Sequence, residues 1–336
     1  MKEALFYEKE GDRQVICGLC RFNCLIADGK RGICNVRENR GGTLFSLVYG
    51  RVIAEHVDPI EKKPLFHVMP GSSSFSIATV GCNFRCRHCQ NYSIAQVGRT
   101  GQIPGSPRTP AEIVLKAVSS GCSSIAYTYT EPTIFFEFAC DTARIASEAG
   151  LKNIFVTNGY ISKEPLAMIA PFLHAANIDL KGFSEKFYSE IVGAKLSEVL
   201  ACIIDYRRLG IWLEITTLII PGLNDSDEEL QGIAAFIVEN LGADTPWHVS
   251  QFYPTHQLTD LPRTPIATLR RAGEIGRAAG LQHIYEGNVP GEGGENTWCP
   301  GCSKLLVARN GFRVLSNRLQ EGWCPGCGKK VAGLWL

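Results

Sequence analysis

The chain has 336 residues, 45% of them hydrophobic, and its 34 Lys and Arg nearly balance 33 Asp and Glu, leaving a formal charge of +1. That is enough to bury a full core and long for one compact domain, so a main domain with one or two small appendages is expected. No basic run or basic stripe with interleaved aromatics implies nucleic acid as a partner.

The apolar run from Leu213 to Leu223 contains Glu214, two threonines and Pro221, which excludes a membrane span there. The start, Met1-Lys2-Glu3-Ala4, has no apolar h-region, so a cytoplasmic protein is expected. Fourteen cysteines in so long a chain do not describe a small disulfide scaffold. Eleven fall in three clusters with metal-ligand spacing, while Cys122, Cys140 and Cys202 stand alone and read as buried small hydrophobes.

Residues 1–70 are expected to form an N-terminal cysteine-rich segment and a connector. Cys17, Cys20, Cys24 and Cys34 have the spacing C-x2-C-x3-C-x9-C, which matches no common finger. A closed zinc site is the first reading and an auxiliary iron–sulfur cluster the alternative. The run 49–64, with its prolines and charges, reads as an ordered connector.

Residues 71–290 are expected to hold the main domain. The apolar run 75–80 leads into Gly81-Cys82-Asn83-Phe84-Arg85-Cys86-Arg87-His88-Cys89, a C-x3-C-x2-C loop. Three ligands leave a four-iron, four-sulfur cluster with one iron free for an exogenous group, whereas four would close it. The alternative is a zinc loop borrowing a fourth ligand such as His88.

Strands are expected at 74–82, 124–130, 153–158, 176–181, 212–220 and 247–253, with a seventh apolar stretch at 283–285. Thr109-Pro110-Ala111-Glu112 and Ser226-Asp227-Glu228-Glu229 read as capping boxes, and Thr264-Pro265 opens a helix ending near Gly280. Alternating strands and helices predict an α/β fold, a partial (βα)6 TIM-like barrel with its chemistry at the strands' carboxyl ends. Those ends carry Glu131, Asn158, the alternating pair Asp179 and Lys181, and His248. Helix capping by Glu131, a structural Asp179–Lys181 ion pair and a core His248 are the competing structural readings.

Residues 291–336 begin with a glycine-rich hinge and hold two CPGC knuckles, Cys299/Cys302 and Cys324/Cys327, separated as C-x2-C-x21-C-x2-C. Four soft thiolates so arranged predict a zinc ribbon, with a second iron–sulfur cluster as the alternative.

The three-cysteine loop resembles the cluster-binding loop of the radical S-adenosylmethionine (SAM) enzymes. The resemblance implies a [4Fe-4S] cluster whose open iron is chelated by the methionine part of SAM, reductive cleavage to a 5′-deoxyadenosyl radical, and SAM contacts from Glu131, Asn158, Asp179, Lys181 and His248. Thr130-Glu131-Pro132, Thr157-Asn158-Gly159, Asp179-Leu180-Lys181 and Pro221-Gly222-Leu223-Asn224-Asp225 narrow it to the pyruvate formate-lyase activating enzyme group. Cys17-Gly18-Leu19-Cys20, Arg31–Arg37, the Asp58–Leu65 connector, Cys89-Gln90-Asn91-Tyr92 and the terminal ribbon together look like the AmmeMemoRadiSam system radical SAM enzymes. A protein substrate, two partner protein families and an electron donor such as flavodoxin or ferredoxin are what this implies. The chain departs from the pattern at Arg21, where proline is expected, at Thr130, where Asn is usual, and in lacking the glycines of a Gly-Gly-Glu motif.

Overall fold

A computed structural model describes residues 1–98, 101–289 and 291–335. The chain forms two compact units: Met1–Asp58 with Ser73–Ala175 and Glu198–Ile211, and Pro59–Ser72 with Ala176–Ser197 and Trp212–Leu336. The segments expected at 1–70, 71–290 and 291–336 are apportioned between these units, and the boundary at 290 lies outside the described residues.

In the first unit the strand Ser124–Tyr127 runs parallel to Ser73–Ala78 and to Lys152–Thr157, with Tyr127 opposite Ile77 on one side and Phe155 on the other. All four of its residues are buried, as a strand covered on both faces requires. Helix Pro110–Ser119 precedes that strand and Phe136–Glu148 follows it. Thr109 closes the first helix with a full capping box: its Oγ1 accepts from Glu112 N and the Glu112 carboxylate accepts from Thr109 N.

The strand expected at 74–82 ends at Ala78, where the chain enters the cysteine loop. Part of the expected connector forms a strand, Ala54–Pro59, and then a 3-10 turn. Ile53 N–H donates to Ala78 O and Ile60 N–H to Ser72 O, an order that makes this strand antiparallel. The N-terminal segment adds two small antiparallel sheets, one of which pairs Tyr7–Glu10, Gln14–Cys17 and Cys24–Ile26.

In the second unit Trp212–Ile219, Trp247–Gln251 and Ile284–Gly287 are parallel neighbours, with Thr216 opposite His248 and His248 opposite Tyr285. Strand Ala175–Asp179 neighbours Trp212–Ile219. One helix start differs from expectation. Ser226 caps Asp227–Asn240 by accepting from Glu229 N, but the Glu229 carboxylate accepts from Phe183 N instead of reciprocating. The helix expected after Thr264-Pro265 runs from Ile266 to Ala278, and the Thr264 hydroxyl accepts from Phe252 N and donates to Ile219 O.

The C-terminal strands Thr297–Trp298, Leu305–Asn310 and Arg313–Asn317 form an antiparallel sheet around Cys299, Leu306, Val307, Cys324 and Val331. Arg309 anchors it. This buried guanidinium donates to Phe66 O, Glu295 O and Thr297 Oγ1, lies 3.6 Å from the Glu61 carboxylate and sits 4.4 Å from the Phe66 ring centre. His67 completes the seam, with Nε2 2.7 Å from Tyr285 Oη and Nδ1 2.7 Å from Ala332 O. No helix among the described residues is long and apolar enough to cross a membrane.

Burial holds His67 well below its ordinary pKa and lowers its neighbour His283 to about 4. The unfolded chain therefore binds protons first as pH falls, and stability drains between about 6.5 and 4. His283 alone should contribute on the order of 3 kcal/mol across that window. Thermal melts from pH 7 to pH 4 should fall steeply, and less so in His283→Asn; identical slopes in the two proteins would remove this residue from the explanation.

Candidate functional site

The cysteine loop leaves Ser73–Ala78 through Gly81, whose φ of +103° belongs to the region that glycine enters freely. Cys86 is buried, Cys82 and Cys89 partly so. Phe84 N–H donates to Cys82 Sγ at 3.4 Å, and Arg85 Nη1 donates to Cys82 O and Phe84 O at 2.8 and 2.9 Å, folding the loop over its own backbone. Burial pushes the Cys82 thiol well up, with Glu131, Cys86 and Cys89 adding to the shift.

Four sulfurs on one zinc ion stand about 3.8 Å apart, given Zn–S bonds of about 2.3 Å in a tetrahedron. Cys299, Cys302, Cys324 and Cys327 meet that requirement, with all four sulfurs within 4.8 Å of one another. The two knuckles are held by N–H···S bonds from Gly301 and Gly326. Among the described residues neither Cys82, Cys86 and Cys89, nor two of them with His88, converge in this way. A cluster that places each thiolate on its own iron needs no such convergence.

Glu131 organises the strand ends beside it. Its Oε1 accepts from Thr133 N, Thr133 Oγ1 and Thr157 Oγ1 at 3.0, 2.5 and 2.8 Å, and its Oε2 accepts from Asn158 N at 2.8 Å. Burial pushes this carboxyl upward while the four donors favour its charged form. The helix-capping alternative is thus present in the structure, as Glu131 caps the 3-10 turn Pro132–Phe135. It does more than cap, because through Asn158 it reaches the cysteine loop: Asn158 Nδ2 donates to Asn83 Oδ1 at 2.7 Å and lies 3.8 Å from Cys82 Sγ.

The missing glycines are replaced by a strained residue. Tyr129 adopts φ +62°, at a cost of about 1–2 kcal/mol for a residue with a side chain. Tyr129 Oη donates to Asp58, and Asn91 Nδ2 donates to Tyr129 O at 2.7 Å, so the loop and the connector hold the conformation. Thr130, where Asn is usual, donates its hydroxyl to Thr79 O at 2.8 Å. Sequence reasoning missed Asn83, Asn91 and Tyr129. Asn83 and Asn91 flank the cysteine run, and an amide so placed is the one available signal.

Asp179, Lys181 and His248 belong to the second unit. Lys181 Nζ donates to Asp179 Oδ2 at 2.8 Å, and the Asp179 side chain is 36% exposed, so the pair is partly open to solvent. His248 is buried, its Nε2 2.7 Å from Glu214 Oε2 and its ring stacked on Tyr285. Glu214 also accepts from Phe66 N and His67 N, a structural centre whose signal was a lone acid inside an apolar strand. Of the solitary cysteines, Cys122 and Cys202 are buried, while Cys140 is only partly covered.

Residues 76–237 match the family model of the radical SAM superfamily. An uncharacterised protein of Methanocaldococcus jannaschii is 48% identical over 309 residues, covering 92% of each chain. The chain belongs to the radical SAM superfamily. A second protein of that archaeon, named as a glycyl-radical enzyme activating enzyme, is 25% identical over 177 residues, 49% of this chain and 63% of its own. A radical SAM methyltransferase from Sphaerobacter thermophilus superposes with a TM-score of 0.52 at 17% identity, covering 65% of this chain and 67% of that one, which shows the shared α/β fold with its parallel-strand sheet.

Membership of the radical SAM superfamily implies a [4Fe-4S] cluster and SAM, and the residues fit them. Asn83 Nδ2 and Asn158 Oδ1 are both buried beside Cys82 and have no hydrogen-bond partner. A donor and an acceptor left open together, next to a thiol trio spaced for a cluster, suit a polar ligand at that point.

If Glu131 fastens these strand ends, Glu131→Ala strands several buried donors and should cost about 3 kcal/mol. Hydrogen exchange would show the backbone amides of Thr133 and Asn158 losing protection. Unchanged protection at both would mean that water replaces the carboxylate.

Proposed function

We propose that this radical SAM protein cleaves SAM reductively at a [4Fe-4S] cluster on Cys82, Cys86 and Cys89, and abstracts hydrogen from a protein substrate in the manner of glycyl-radical activating enzymes. The observation that carries the first part is the open Asn83 and Asn158 pair beside Cys82. A cluster held by Cys82, Cys86 and Cys89 would supply the one electron with which SAM parts into methionine and a 5′-deoxyadenosyl radical, which would take a hydrogen atom from substrate. That electron comes from a reduced flavodoxin or ferredoxin.

The chain's own residues position the reaction. Asn158 offers its carbonyl, and Asn83 its amide N–H, to the polar methionine end of SAM. Glu131 serves this site through Asn158 and Thr157, which its carboxylate holds. Within the second unit, the partly open Asp179–Lys181 pair is suited to hydrogen-bonding hydroxyl groups, whereas His248 is held by Glu214 and Tyr285.

The activating role rests on the likeness to the named activating enzyme of M. jannaschii, and the cysteine, connector and ribbon motifs support membership of the AmmeMemoRadiSam group. Radical modification of another peptide, protein or small molecule is the second reading, favoured by the methyltransferase that shares the fold. A non-catalytic metal-binding module is the third, and the unpartnered polar atoms beside Cys82 argue against it. The C-terminal four-cysteine group is assigned zinc on its sulfur spacing.

Anaerobically reconstituted protein should release 5′-deoxyadenosine from SAM on reduction, and Cys82→Ala/Cys86→Ala/Cys89→Ala should abolish it. Release that survives this change rejects the reading. Asn158→Ala should weaken SAM binding about tenfold, or roughly 1.4 kcal/mol, at unchanged iron content. Incubation with glycine-containing partner proteins should give a glycyl radical signal; a different mass change in a partner would favour the second reading. Cys302→Ser should lose one zinc per chain and expose the C-terminal strands to protease.

A further inference from the structure

Cys17, Cys20 and Cys34 are buried at 6%, 8% and 7% exposure, and Cys24 is partly covered. Cys17 and Cys24 face each other across adjacent antiparallel strands. The backbone N–H groups of Phe22 and Val36 lie beside the Cys20 and Cys34 thiols. At Cys82, Cys299 and Cys324 the N–H two places on donates to sulfur. Such N–H groups steady a thiolate and add little to a neutral thiol.

Charge supplies an independent argument. Arg37 is 1% exposed, and while its Nη2 donates to Glu137 Oε1 and Leu5 O, its Nε and Nη1 are buried with no acceptor. Cys17, Cys34 and Cys20 are the sulfur groups near it after Glu137. A buried cation with two unfilled donors calls for anionic neighbours, and thiolates bound to metal would provide them.

Spacing selects the metal. Among the described residues no three of these four sulfurs lie within 4.8 Å of one another, in contrast with the ribbon. Sulfurs gathered round one ion would be closer, and sulfurs on separate irons would be farther apart.

This segment is also fastened to the Cys82 loop. A Cβ on Gly81 would meet Val36 Cγ1 at 2.6 Å and Cys34 O at 3.1 Å, Arg85 Nη2 donates to Ile33 O, and Asn35 Nδ2 donates to Val97 O. We propose that Cys17, Cys20, Cys24 and Cys34 hold a second [4Fe-4S] cluster, fully ligated by protein and tuned by Arg37, directly behind the loop that carries the reactive one. It takes up the auxiliary-cluster alternative in preference to the closed zinc site that spacing in the sequence put first.

Wild-type protein reconstituted anaerobically should hold about eight iron atoms and one zinc per chain; about four iron and two zinc overturns the proposal. The Cys82→Ala/Cys86→Ala/Cys89→Ala protein should keep about four iron and four sulfide and a reduced-cluster resonance, which further replacement of Cys17, Cys20, Cys24 and Cys34 by Ser should remove. Arg37→Gln should make the potential of this remaining cluster more negative, a shift that a purely structural arginine would not cause. Deoxyadenosine release by the wild type tests the reactive site separately, so either assignment can fail alone.

Discussion

A carboxylate buried without water must be satisfied by the protein around it, and Glu131 shows how much structure that demand can fix. Its four donors come from the turn that follows it and from the end of the neighbouring strand Lys152–Thr157. Removing any one would leave a charged acceptor short in a low-dielectric setting. The strand ends are therefore locked in register, and Asn158 is delivered to Asn83 and Cys82. This contact and the Arg85 bonds to Cys82 O and Phe84 O tie the loop down.

All seven expected strands form, because each was an apolar run bounded by polar or glycine-rich turns, a pattern that buried parallel strands cannot avoid. The antiparallel strand Ala54–Pro59 escaped notice since its charges and prolines read as a connector; it needs only one buried face. Cap residues were legible at Thr109, where both partners are local. At Ser226 a distant amide outbid the local one for the Glu229 carboxylate, and such competition has no signature in the sequence.

The site was legible in its ligands and less so in its supports. Cysteine spacing announced three sulfur groups, but not which would gather round a single ion, since that is set by the loops between them. Glu131 and Asn158 stood out as polar residues at strand ends. Tyr129 did not, because a tyrosine in the left-handed region depends on Asp58 and Asn91, remote in sequence, to hold it there. The half-open Asp179–Lys181 pair and the enclosed His248 show that alternation along a strand gives a side chain's face and not its depth.

Arg21, which stands where a proline is expected, carries a consequence for how the molecule is made. Its guanidinium donates to Ile161 O, Glu198 and Asp205, partners 140, 177 and 184 positions away. Loop closure over such separations comes late in folding and slowly. On the ribosome, the cysteines on either side of Arg21 emerge long before helix Leu196–Arg208 exists to seat them. Throughout synthesis they remain exposed thiols, open to oxidation until that helix arrives.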